Sequence, residues 1–225
     1  MRTVAGLFLG GELAPAGLSI GFLRADFSHV VEALTSWRQG LGQKLEFADA
    51  SVSSADADIE PFQAPWTREV LFDCGPWTAY LNNGIDGGDP TAAAPHLSTL
   101  LGVDLFVAIH APLHEPGHAS TQLWVIGPSG APPLMYRRSI CAYCADGRWS
   151  WHEDGAPLPF ERVERYSARR LRDRFDRPLL IDYLEANEIH ADVPAFFGDG
   201  VTVVQKVTYS VRSESSAEVR SRFGW

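Results

Sequence analysis

Residues 69–90 read EVLFDCGPWTAYLNNGIDGGDP. Val70–Asp73 and Trp77–Leu81 carry the β-branched and aromatic residues that favour strands. Gly75-Pro76 breaks the run between them. Asn82-Asn83-Gly84 supplies a turn from residue types that tolerate left-handed backbone. Asp89 before Pro90 marks a helix start, because the carboxylate accepts orphan amide hydrogens and proline's missing N–H costs nothing at the first helical position. That helix is expected to run to Leu101 with Ala94, Leu97, Leu100 and Leu101 facing inward. Strands joined by tight turns argue for antiparallel pairing, since parallel strands need long crossovers.

On the amino-terminal side, Leu18–Leu23 reads as a strand. Phe27, Val30, Val31, Leu34, Trp37 and Leu41 recur at helical spacing behind Asp26, so the pattern predicts a helix over residues 27–41. Residues 47–66 lack periodicity and are rich in Ser, Ala, Asp and Pro, the signature of a long loop. Residues 1–16 read as an extension or an edge strand. Beyond the capped helix, Val103–Ile109, Gln122–Ile126, Leu134–Tyr143 and Trp149–Trp151 read as strands. Gly127-Pro128-Ser129-Gly130 and Asp146-Gly147 between them are hairpin turn signals. Residues 159–175 read as a helix with Phe160, Val163, Leu171 and Phe175 in one stripe. Asp176 and Pro178 open another, with Leu179, Leu180, Tyr183 and Leu184 as its apolar face. A long strand is expected at Val201–Val211. The pattern predicts one α+β domain over residues 17–212, a mainly antiparallel sheet with about four helices packed on one face, and a mobile tail over 213–225.

Lys and Arg number 19 against 28 Asp and Glu, a formal charge of −9. That balance argues against a general nucleic-acid binder, which must neutralise phosphates, and favours attraction to basic partners. Three cysteines, Cys74, Cys141 and Cys144, give no disulfide framework and point to a reducing cytoplasm. No apolar run approaches the roughly 20 residues of a membrane span, so no membrane association is expected.

The polar clusters each admit a structural and a chemical reading. HAPLHEPGH, residues 110–118, places His110, His114 and His118 four apart with Glu115 among them. Pro112, Pro116 and Gly117 forbid the regular helix that would align them as metal ligands. A hairpin loop between strands ending near Ala111 and resuming near Thr121 is expected, with a metal site or hydrolase centre as the alternative. Cys141 and Cys144 lie near a strand end, where a three-residue offset sends them to opposite faces. They read as packed thiols. Arg162, Arg165, Arg169, Arg170, Arg172, Arg174 and Arg177 outnumber the acids interleaved with them. Nucleic-acid binding is the second alternative they raise. Gly84, Gly87 and Gly88 lack a phosphate-loop register, and Ser139 and Thr78 lack a nucleophile-elbow context. No catalytic residue and no cofactor is expected. Asp49, Asp56, Asp58 and Glu60 make a negative patch in the 47–66 segment, either a solvated loop or a surface for a basic protein.

Several segments taken together resemble a family of uncharacterised bacterial proteins common in actinomycetes. They are GFLRADFSHVVEALTSWR, GPWTAYLNNGIDGGDP, GPSGAPPLMYRRSI and RWSWHEDGAPLPFERVERYSARRLRDRFDRPLLIDYLEANEI. Their Trp-Thr-Ala strand, Asn-containing turn and YxARRxRDRF segment carry the likeness, which covers about two-thirds of the chain. The HAPLHEPGH and CAYC segments depart from it. The resemblance implies a single-domain acidic protein, immunity-like in toxin systems. The expectation is therefore a non-enzymatic protein-binding module, an immunity-type inhibitor of a basic toxin domain. Asp56, Asp58, Glu60, Trp66, Asp86 and Asp89 are its expected contacts, with Trp77 as a further anchor.

Overall fold

A computed structural model describes residues 16–50, 58–114, 117–205 and 212–223. Its centre is an antiparallel sheet of nine strands. In chain order the elements begin with β1 (Ser19–Leu23), α1 (Phe27–Gly40), β2 (Leu45–Ala50), β3 (Phe62–Ala64), β4 (Arg68–Cys74) and β5 (Trp77–Asn82). There follow α2 (Ala94–Leu101), β6 (Leu105–His114), β7 (His118–Ala131), β8 (Tyr136–Ala145), β9 (Arg148–Asp154), α3 (Arg177–Glu185), β10 (Gly200–Gln205), β11 (Arg212–Glu214) and α4 (Ser216–Phe223). Across the sheet the strands run β2-β10-β4-β5-β1-β6-β7-β8-β9, and β11 pairs with β3 in a second, two-stranded sheet.

The Glu69–Pro90 segment sits near the middle of this order. Its Gly75-Pro76 break is a two-residue hairpin loop closing on the Cys74–Trp77 pair, with Gly75 at φ 72°. Because the β4 and β5 strands are covered on both sides, alternate residues enter different cores. Val70, Phe72, Trp77, Ala79 and Leu81 pack with Phe22, Phe106 and the α3 residues Leu180, Tyr183 and Leu184. Leu71 and Tyr80 pack with Val30 and Leu34 of α1 and with Leu97 of α2. The helices thus lie on both faces of the sheet and not on one. Near-continuous apolar runs are what two-sided burial requires of a strand. At Gly21 of β1 an added Cβ would stand 3.2 Å from Ala94 and 3.3 Å from Pro90, so glycine there lets the α2 region approach the sheet.

Two buried arginines tie helical segments to strands. Arg38 of α1 donates through Nε to Glu69 Oε2 at 3.1 Å and through Nη2 to Oε1. Tyr80 and Gln205 donate to the same carboxylate, so every charge taken from water here has partners. On the opposite side of the molecule, Arg138 donates to Glu161 at 2.8–3.1 Å, to Glu153 at 2.6 Å and to the Gly155 carbonyl at 2.7 Å.

The second network changes the reading of residues 159–175. They form short 3₁₀ turns at Val163–Ser167 and Leu171–Asp173 instead of a helix. Glu161 is drawn to Arg138, Leu158 N and Tyr166. The Asp173 and Ala168 carbonyls accept from Arg165 and Arg174. Side-chain donors here compete with the backbone ladder. The capped helix is also split, into a 3₁₀ turn at Pro90–Ala92 and α2, because Pro95 cannot continue an amide ladder from the first into the second.

Part of the expected 47–66 loop belongs to β2 and β3. As the outer strand, β2 is exposed along most of its length, so backbone pairing with β10 and not apolar alternation defines it. The Gly127–Gly130 turn signal lies inside β7, whose register shifts between Ile126 and Ala131, and the reversal comes beyond it. The Asp146-Gly147 hairpin stands as expected. Of the Val201–Val211 strand, β10 covers the residues to Gln205, and 206–211 lie outside the described residues. So does the 1–16 extension, apart from Ala16. Of the 213–225 tail, the described residues 213–223 belong to β11 and α4.

Asn82 and Asn83, both fully buried, hold the corner after β5. Asn83 Oδ1 accepts from the Thr67 and Arg68 amides at 2.8 and 2.9 Å, and Nδ2 donates to the Pro61 carbonyl at 2.7 Å. Asn82 Oδ1 accepts from the Gly84 and Asp89 amides at 3.0 and 2.9 Å. Gly88, at φ 80°, lies where a Cβ would fall 2.9 Å from the Asn82 carbonyl. Replacing Asn83 by Ala strands two amides and a carbonyl, each costing about 1–3 kcal/mol if left unsatisfied. The expected loss for Asn83→Ala is at least about 3 kcal/mol, read as a lower urea midpoint at unchanged slope.

Candidate functional site

The acidic residues singled out from the sequence gather around the carboxy-terminal segment. β3 is held on one side by the turn: Gln63 N donates to the Asn83 carbonyl at 2.7 Å, and Ile85 N donates to the Gln63 carbonyl at 3.2 Å. On its other side β3 pairs with β11 through Ala64–Arg212, Gln63–Ser213 and Phe62–Glu214. The chain then enters α4 through a reciprocal cap. Ser215 Oγ accepts from Glu218 N, and Glu218 Oε2 accepts from Ser215 N at 2.7 Å.

Glu60 accepts from Ser216 N at the start of this helix. The Ser216 hydrogen bonds, with Arg220 nearby, hold the Glu60 carboxyl below its ordinary value. At the other end Arg222 donates to Asp86 Oδ1 at 2.9 Å, to Glu214 Oε2 at 3.1 Å and to the Ile85 carbonyl. Between them Val219 is fully buried in the cluster that contains Ile59, Phe62 and Ile85. Phe223 sets its edge against the His114 ring at 5.3 Å. Beside the segment, an open depression of about 570 Å³ is lined by Glu60, Pro61, Arg68, Ser213, Glu214, Ser215 and Glu218.

Of the expected contacts, Glu60 and Asp86 therefore meet on α4. The Asp58 carbonyl accepts from Arg68 at 3.2 Å, next to the same depression. Asp89 lies on the far side of the turn and caps the 3₁₀ turn at Pro90, accepting from Thr91 N at 3.0 Å. Trp66 is half-buried in the β3–β4 connection. Asp56 lies outside the described residues. Trp77 is not an exposed anchor: it is buried, packs edge-on against Phe106 and donates to the Asn187 carbonyl. The approach of α4 was unforeseen, although the Ser215–Glu218 spacing of a capping box signals its start.

The histidine hairpin is shorter than expected, with β6 reaching His114 and β7 resuming at His118, directly opposite. Those two rings stand 6.0 Å apart, while His110 is bonded to Thr121 at 3.0 Å. Cys74, Cys141 and Cys144 are free and buried. Burial pushes the thiols of Cys74 and Cys141 up to about 12 and about 11, so neither is a ready thiolate. Among the described residues, no three His, Cys, Asp or Glu side chains group as a metal ion requires. In the arginine segment, Arg162, Arg165 and Arg172 pair with Asp182, Asp176 and Asp173, and Arg174 lies over Trp151. Among the described residues, no helix is long and apolar enough to cross a membrane.

Burial and then the charge of Arg177 lower the His110 imidazole from 6.5 to about 4. Between those values the unfolded chain binds the extra proton and the folded chain does not. Stability therefore falls as pH drops through that window. Replacing His110 by Asn should flatten this part of the profile, measured by urea unfolding between pH 7 and pH 4. An unaltered slope would show that His110 is not responsible. Comparison of the chain with protein-family models, curated proteins and solved structures gave no match.

Proposed function

We propose that the protein is a non-enzymatic protein-binding module whose acidic corner takes a basic protein, as an immunity-type inhibitor of a basic bacterial toxin domain would. The observation that carries this reading is the grip of Glu60 and Asp86 on a helix bearing Arg220 and Arg222. The corner is already complementary to a basic amphipathic segment in both charge and shape. Asp58 adds negative charge beside it. A net charge of −9 supplies the long-range attraction that speeds encounter with a cationic partner.

Individual ion pairs at such an exposed site contribute about 0–1 kcal/mol each. The acids therefore act chiefly on association rate and orientation, while apolar contacts around Ile59, Phe62 and Ile85 supply lasting affinity. The test uses the full chain immobilised and exposed to an extract of its native cell at low salt. A retained basic protein should associate at least about tenfold more slowly with an Asp58→Lys, Asp86→Lys variant, the difference vanishing at high salt. Equal rates for the two forms at low salt would remove this corner from the interface.

A further inference from the structure

Resting on that reading, we propose that Arg212–Phe223 is an internal stand-in for the partner. It occupies the acidic corner in cis, and the partner displaces it with a segment of the same chemistry: an extended strand leading into an arginine-bearing amphipathic helix. The contacts of the chain's own segment define that chemistry. β11 adds to the free side of β3 through a three-residue register, a form of recognition that reads backbone and not sequence. The following helix presents one buried apolar residue, Val219, and a guanidinium on Asp86 and the Ile85 carbonyl. An incoming segment meeting the same donors and acceptors satisfies the same corner.

The attachment is built to be exchanged. Its ladder is short, its helix has eight residues and buries Val219, and its charge pairs are largely exposed. Such features place a segment at the low end of local stability. Six residues, 206–211, separate it from Gln205 of the central sheet. Because the segment belongs to the same chain, its contact is intramolecular, at an effective concentration on the order of millimolar. A weak contact is thereby well occupied in cis, yet a partner of higher intrinsic affinity can replace it. The apparent affinity of that partner is reduced by the fraction of chains whose corner is free. The segment thus acts as a threshold, rejecting weakly basic passers-by.

The probe is a fluorescently labelled peptide of sequence Arg212–Phe223, titrated into three full-length forms. One is the wild-type chain. The second carries Val219→Asp with Arg222→Glu, which releases the segment. The third carries Gln63→Cys with Ser213→Cys, facing positions across β3 and β11, which locks the segment when oxidised. The native cysteines are buried and do not compete for this disulfide. The released form should bind the peptide at least about tenfold more tightly than wild type. The locked form should bind none until it is reduced, when it should match wild type. Equal affinity in the oxidised and reduced forms would overturn the proposal, as would absence of binding to the released form. The reduced-versus-oxidised comparison decides the matter if the released variant does not fold. Should the peptide behave as expected while no basic protein from the native extract binds the released form, the partner-binding reading fails and the cis exchange stands.

Discussion

The side chain of Asn83 is the constraint on which the site depends. A buried amide must find partners for both its oxygen and its nitrogen, and Asn83 finds them on either side of β3 in the chain. It fixes the start of β4 through the Thr67 and Arg68 amides and the approach to β3 through the Pro61 carbonyl. Its own backbone carbonyl accepts from Gln63. β3 is thereby held beside the turn with its other side open to β11. The strand addition, the helix that follows and the grouping of Glu60 with Asp86 all descend from that arrangement. An apolar residue of similar size would fill the space but leave the corner without a reason to close.

The larger architecture follows a different logic. The central strands bury both faces, which requires two helical layers and brings charged anchors into places where water is absent. Glu69 satisfies this by collecting α1, β5 and β10 on one carboxylate. Arg138 does so by collecting the 153–161 segment beneath Tyr166. Breaking either pair by removing one partner leaves a buried charge uncompensated, a loss much larger than that of an exposed ion pair. These anchors hold the scaffold rigid, whereas the 212–223 segment is attached by weaker, more exposed contacts. The fold is thus divided between a strongly tied sheet and an edge held by weaker, more exposed contacts.

Much of the sheet was legible in the sequence because local chemistry and global fold agree there. The Gly75-Pro76 hairpin, the Asp176 cap of α3 and the Asp146-Gly147 turn each rest on one or two residues with a local conformational or capping role. The misreadings arise where tertiary partners decide. Residues 159–175 carry a helical stripe, but Glu161 and the arginines spend their hydrogen bonds on Arg138 and on carbonyls. β2 has no apolar alternation because it is the outer strand. Arg38 continues the Val30–Leu34 stripe, and its burial is intelligible only once Glu69 faces it. The acids at positions 60 and 86 were readable as a negative surface; that the chain's own basic helix lies on them was not. The Ser-x-x-Glu cap at Ser215 was a local sign that the segment is structured.

Glu60 and Asp86 are the two carboxylates expected to hold the carboxy-terminal helix in solution. Amide hydrogen exchange, followed peptide by peptide, measures that directly. Residues 212–223 should be protected in the wild-type chain. Protection there should fall at least about tenfold in a Glu60→Gln, Asp86→Asn variant, while β4 and β5 stay unchanged. Equal protection of the segment in both proteins would contradict the account.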